Sequence, residues 1–147
     1  MPLHVEVVTQ ERKLFEDKAV DMVIVPGSDG VLGILPNHTP LLTTMKFGEL
    51  IIRKGRAEES FAIYGGVVEV RPTKVTVLAD AADFSADISM EEAEEARERA
   101  RKLLEEGVPE DERTRLLHEL RRAELAINIA RKTRSRAGSV RIITDEE

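Results

Sequence analysis

The feature that most constrains this chain is a change of hydrophobic period near Ser89. Before it, apolar and polar residues alternate. After it, apolar residues recur every three or four positions. Alternation puts every second side chain on one face of a strand, whereas the longer spacing puts them on one face of a helix. The chain must therefore hold a β part followed by a helical part. Its 147 residues suffice for one domain or two small ones.

In the first part, Leu3, Val5 and Val7 face one way and His4 and Glu6 the other. Val20-Asp21-Met22-Val23-Ile24-Val25 reads as a strand that ends at the turn signal Pro26-Gly27. Leu50-Ile51-Ile52, Phe61-Ala62-Ile63-Tyr64, Val67-Val68-Glu69-Val70 and Val75-Thr76-Val77-Leu78 read as further short strands. Lys54-Gly55, Gly65-Gly66 and Arg71-Pro72 separate them. Short strands with frequent turns predict an all-β sandwich or barrel over residues 1–87.

The second part opens with Ser89-Met90-Glu91-Glu92, a capping box in which the Ser hydroxyl accepts from the backbone N–H of Glu92. Ala93, Ala96, Ala100 and Leu103 or Leu104 then follow at helical spacing. Gly107-Val108-Pro109 breaks this helix, and Glu110-Asp111-Glu112 opens a second with charges suited to a helix N-terminus. Leu116, Leu120, Ala123, Ile127 and Ala130 step by four and three. The short connection predicts an antiparallel all-α hairpin over residues 88–138, with Gly138 as its C-terminal cap. Residues 139–147 form a tail in which Val140-Arg141-Ile142-Ile143 has strand character. The alanine-rich seam buries little apolar area, so the hairpin is expected to be marginally stable and separable from the β part.

Composition excludes several functions. With 22 Lys+Arg against 28 Asp+Glu the net charge is −6, which opposes general affinity for nucleic acid or anionic lipid. The absence of cysteine excludes disulfides and thiolate metal sites. Four Phe and one Tyr are too few for a base-stacking surface. The N-terminus lacks a basic, then apolar, targeting pattern. The longest nearly apolar stretch, residues 61–68, is well short of the ~20 residues of a spanning helix. The expectation is a soluble chain that meets a membrane only through a partner.

Within this acidic chain the helices differ. Residues 89–106 carry 7 acidic and 4 basic side chains, and residues 111–136 carry 4 acidic and 8 basic ones. The second helix is locally basic towards its end, at Arg131, Lys132, Arg134 and Arg136.

No catalytic, metal or cofactor site is expected. His4, His38 and His118 lie on different elements, and the metal-ligand spacing H-E-x-x-H does not occur. Gly27-Ser28-Asp29-Gly30-Val31-Leu32-Gly33 is glycine-rich but lacks phosphate-loop spacing and leads into strands, so it reads as a turn. Ser28, Asp29 and His38 lack the G-x-S-x-G elbow of a hydrolase. Asn37-His38-Thr39 matches a glycosylation sequon, without a secretion signal to give it meaning. Pro36-Asn37-His38-Thr39-Pro40-Leu41-Leu42-Thr43 has two readings. It is either a rigid loop feeding a strand or a preorganised docking surface, which loses little entropy on binding.

This last stretch completes a pattern. Gly30-x-x-Gly33-Ile34-Leu35-Pro36-x-His38-x-Pro40-Leu41-Leu42-Thr43 resembles the signature of the epsilon-subunit family of bacterial and chloroplast rotary (F-type) ATP synthases. It is similar, more distantly, to the mitochondrial subunit called delta. The likeness extends through Val5-x-Val7-Val8-Thr9, Gly65-Gly66-Val67-Val68-Glu69-Val70-Arg71-Pro72, Val75-Thr76-Val77-Leu78-Ala79 and Arg122-Ala123-Glu124-Leu125-Ala126, covering about residues 1–136.

The resemblance implies a non-catalytic rotor subunit of a proton-translocating synthase at the cytoplasmic face of the cell membrane. The sandwich would bind the gamma shaft and rest on the c-ring. The gamma-facing segment maps to His38, Thr39, Pro40, Leu41, Leu42 and Thr43, and the c-ring contact to Ser28, Asp29, Gly30 and Val31. Many members have an acidic residue where this chain has Val31.

In such subunits an extended hairpin meets an acidic segment of beta, within the alpha/beta catalytic assembly, and suppresses ATP hydrolysis. Arg121, Arg122, Arg131, Lys132, Arg134 and Arg136 are the candidates for that contact. Their plainer role is to solvate the helix and complement its dipole.

Some members bind ATP through an [IL]-D-x-x-R-A start. Here Ile88-Ser89-Met90-Glu91-Glu92-Ala93 puts Ser89 in place of the aspartate and Glu92 in place of the arginine. Ile129 and Thr133 fall where those members have arginines. A carboxylate at Glu92 repels phosphate, so no tight ATP site is expected. The alternative, a nucleotide-sensing hairpin, draws support from Arg99.

Overall fold

The computed structural model describes residues 2–136 and 140–142. Its elements are β1 (Leu3–Val8), β2 (Lys13–Val20), β3 (Met22–Gly27), β4 (Gly30–Ile34), β5 (Leu41–Lys54), β6 (Ala57–Val70), β7 (Lys74–Ala79), β8 (Ala82–Phe84), a 3-10 turn (Ser85–Asp87), α1 (Met90–Glu106) and α2 (Glu110–Ser135). They form two compact units. One comprises Met1–Phe84 with Gly138–Glu147, and the other comprises Ser85–Ala137.

The strands of the first unit join in the order β2-β1-β7-β6-β5-β3-β4, with β8 beside β6. Pairing is antiparallel except between β1 and β7. The ladder curls into a β-sandwich, so that Lys54 on β5 reaches Asp17 on β2 across the layers. Alternation does the sorting. Leu3, Val5 and Val7 point into one core with Phe15, Ile52, Phe61, Ile63, Val75 and Val77, while the residues between them face outwards. Phe61 stands edge-on to Phe15 at 5.9 Å and tilted against Phe84 at 4.6 Å between ring centroids.

Several strands differ from those read in the sequence. Gly65 and Gly66 do not separate two strands but lie inside β6, a 14-residue strand. Both adopt positive φ, 92° and 137°, so the strand bends without ending. A Cβ at Gly66 would lie 2.3 Å from the carbonyl oxygen of Leu78, so glycine there admits β7. Leu50-Ile51-Ile52 is likewise only part of β5. The run from Val20 to Val25 is broken at Asp21 between β2 and β3, whereas Pro26 and Gly27 stay within β3. Residues 13–19, which carry no strand signal, form β2 with Val20, and residues 30–33, read as part of a turn, lie in β4.

The second unit is an antiparallel hairpin. Ser89 Oγ accepts from the N–H of Glu92 at 3.1 Å, as the capping box requires. Gly107, at φ 90°, ends α1, and Pro109 precedes α2. Ala93 near the start of α1 packs with Ala126 and Ile127 far along α2, which fixes the opposed direction. Ala100, Leu116, Ala123, Ile129 and Ala130 are also buried, and Leu104 is better covered than Leu103. α2 ends at Ser135 with Arg136 as its cap residue, while the expected cap Gly138 lies outside the described residues.

Of the tail, Val140 forms a parallel bridge with Ala57 and Ile142 joins the sandwich core. Ile143 lies outside the described residues.

Candidate functional site

The β3–β4 turn and the entry to β5 lie side by side. Gly27 pairs with Gly30 and Pro26 with Val31, so Ser28 and Asp29 form a tight turn. Ser28 then spans to β5: its N–H donates to the Thr44 carbonyl at 2.9 Å, and its Oγ lies 2.6 Å from Thr44 Oγ1. Thr44 directly follows Thr43, so the fold joins the two segments expected to meet different partners.

The loop into β5 is pinned at its start. Asn37 takes the left-handed conformation at φ 66°, and its N–H donates to the Pro72 carbonyl at 2.8 Å. His38 Nδ1 donates to the Thr39 carbonyl at 2.7 Å. Leu41, Leu42 and Thr43 pair with Val70, Glu69 and Val68. Leu41 turns partly into the core while Leu42, 70% exposed, points out. Val31 is also 70% exposed, and Leu35 is exposed on the intervening segment.

Ser28 and His38 are each engaged by a different neighbour, the first by Thr44 and the second by Thr39. The only group of three potential metal ligands among the described residues is His4, Glu6 and Glu16. Ammonium groups already neutralise its carboxylates. Lys13 Nζ lies 2.6 Å from Glu16 and 3.4 Å from Glu6, and Lys74 Nζ lies 3.4 Å from Glu6. His4 places Nε2 2.5 Å from Glu16. The hydrogen bonds from Lys13 and His4 hold the Glu16 carboxyl down to about 2.

On α2, Arg121, Arg122, Arg131, Lys132 and Arg134 are exposed and Arg136 is half-buried. Ile129 is buried, whereas Thr133 is half-buried. Glu92 and Arg99 are exposed on α1. No helix among the described residues is long and apolar enough to cross a membrane.

The described residues thus form a β-sandwich with apolar side chains exposed on β4 and β5, followed by an antiparallel helical hairpin. The β-sandwich domain of the ATP synthase delta/epsilon chain matches residues 2–85. The ATP synthase epsilon chain of Halalkalibacterium halodurans is 43% identical over 128 residues, covering 87% of this chain and 91% of that relative. That of Syntrophobacter fumaroxidans is 41% identical over 131 residues, covering 89% and 97%. A chain in the mitochondrial ATP synthase of Euglena gracilis has the same fold, with a TM-score of 0.67 at 18% identity, covering 92% of this chain and 81% of that one. The chain belongs to the ATP synthase delta/epsilon family. Its relatives are epsilon chains, which are stalk subunits of the synthase and not its catalytic ones.

Proposed function

We propose that the chain is a rotor subunit that couples the gamma shaft to the c-ring, at the cytoplasmic face of the membrane. The observation that carries this reading is the pair of exposed apolar residues, Val31 and Leu42, on adjoining segments of one close-packed sandwich. His38, Thr39, Pro40, Leu41, Leu42 and Thr43 face gamma, and Ser28, Asp29, Gly30 and Val31 face the c-ring. Torque passes between two such contacts only through a body that resists deformation, which a close-packed core provides.

The hairpin is, on this reading, a brake on ATP hydrolysis. Its seam is largely alanine, so little apolar area opposes rearrangement. Arg121, Arg122, Arg131, Lys132, Arg134 and Arg136 engage an acidic segment of beta when it extends.

The test is ATP hydrolysis by the reconstituted complex, with the full chain and with residues 1–87 carrying Glu59→Gln. The substitution is needed because truncation removes Arg141, the partner of the buried Glu59. Both forms should co-purify with gamma, and the shorter one should hydrolyse faster. Equal rates would remove the brake, and failure of the full chain to co-purify would remove the rotor reading. Inhibition should also weaken as ionic strength rises, because the contact joins exposed charges.

A further inference from the structure

One edge of β6 is covered by three separate pieces of chain. β7 pairs with Gly66 through Val70, and β8 pairs with Phe61 through Ile63. At the start of the strand the cover comes from the far end of the sequence. Val140 bridges Ala57 in parallel, and the Glu58 N–H donates to the Val140 carbonyl at 2.8 Å.

The next two residues deepen this attachment. Arg141 forks onto Glu59, with Nε 3.2 and 3.1 Å from the two carboxylate oxygens and Nη2 2.8 Å from one of them. Its guanidinium also lies 5.4 Å from the Phe84 ring centroid. Glu59 is only 4% exposed, so loss of Arg141 would strand a buried carboxylate without its ion-pair partner. Ile142, 7% exposed, then enters the sandwich core. A backbone pair, a bidentate ion pair and an apolar anchor follow one another in three residues. Docking of this kind is specific, not incidental.

The chain thus leaves the sandwich after Phe84 and returns to it at Val140, with the hairpin between. We propose that residues 140–142 are a latch, which holds the hairpin in its folded form and must release Glu59 before the end of α2 can move away. Chain length sets the constraint. At 1.5 Å per residue, α1 and α2 are about 26 and 39 Å long, so end-to-end separation of the helices carries residue 136 some tens of ångströms from residue 90. Residues 137–139 span at most about 14 Å from residue 136 to Val140. With the latch closed, the helices cannot open out. The tether is independent of the brake, and only its effect on hydrolysis rests on the function proposed above.

The chain has no native cysteine, so A57C/V140C in the full chain offers a single disulfide across the bridge. The first readout is amide hydrogen exchange in α1 and α2 of the isolated subunit. Oxidised A57C/V140C should exchange there on the order of tenfold more slowly than its reduced form. Glu59→Gln with Arg141→Gln, which leaves no buried charge unpaired, should exchange faster there than the wild type, with the β5 amides, and those of β6 beyond Glu59, unchanged in all forms. Equal hairpin exchange in every form would overturn the latch.

The second readout is hydrolysis by the complex. Oxidised A57C/V140C should hydrolyse as fast as the complex with the 1–87 chain, and reductant should restore inhibition. If the 1–87 chain raises the rate but the oxidised chain still inhibits, the latch is wrong and the brake stands. If the 1–87 chain changes nothing, the brake is wrong and the exchange result alone decides the latch.

Discussion

Lys54 on β5 donates to both carboxylate oxygens of Asp17 on β2, at 3.1 and 2.9 Å. Asp17 is fully buried, and Lys54 is partly exposed. The other donor to Asp17 is the Ala19 N–H at 2.8 Å. This pair staples the two layers of the sandwich where no ladder hydrogen bond joins them. Lys54→Met leaves a buried carboxylate short of its cation and should lower stability by about 3 kcal/mol. Asp17→Asn with Lys54→Met should lose distinctly less, since no charge is then stranded. Urea unfolding of the three forms measures both; equal losses would show that packing of the lysine stem, not charge, matters.

Gly66 permits close approach of two strands. Its positive φ and the 2.3 Å separation between a built Cβ and the Leu78 carbonyl oxygen act together. Gly66→Ala should destabilise the sandwich by roughly 3 kcal/mol through backbone strain and displaced β7. A variant with wild-type melting would show that β7 can shift freely.

These two sites also show what the sequence could and could not reveal. The change of period at Ser89 was legible because capping and helical spacing are local; Ser89 and Glu92 are three residues apart. The β-sandwich class was legible from alternation at residues such as Leu3, Val5 and Val7. β2 was not, because Asp17 sits at a buried position and its partner lies 37 residues away. The length of β6 was hidden because paired glycines signal a turn when their neighbours are unknown. Arg141 was the most obscure, being separated from Glu59 by 82 residues. The proposed docking residues could be named only through the resemblance that the motif from Gly30 to Thr43 carries. Their geometric signal, the exposure of Val31 and Leu42, exists only once the sheet is folded.

Glu16 gives the fold an acid-sensitive contact. Hydrogen bonds from Lys13 and then His4 lower its carboxyl from the ordinary 4.5 to about 2. A carboxyl depressed on folding adds stability above its unfolded value, and that contribution fades as pH falls from about 4.5 towards 2. Lys13→Met should raise the Glu16 titration midpoint and shift this fading to higher pH. Carboxyl chemical shifts followed against pH provide the measurement. A wild-type midpoint at 4.5 would refute the contact.

Val31 and Leu42 should separate the two partners. Burying a leucine side chain contributes about 1.5–3 kcal/mol, so Leu42→Ser should weaken gamma binding by roughly tenfold or more. Val31→Ser should leave gamma binding intact and loosen attachment to the c-ring. Co-purification with gamma alone, and with the assembled ring, distinguishes the two. If both substitutions weakened gamma binding equally, the division of the surface would be wrong.

The return of residues 140–142 to the sandwich has a consequence for how the protein is made. Residues 2–84 emerge from the ribosome first, yet Arg141, which covers Glu59, and Ile142, which fills its seat in the core, arrive only after the hairpin. Translation of the intervening hairpin takes on the order of several seconds. For that interval the nascent sandwich carries a buried carboxylate with no cation and an open place beside Phe84. Its stability is completed only when residues 140–142 thread back to where the strands ended.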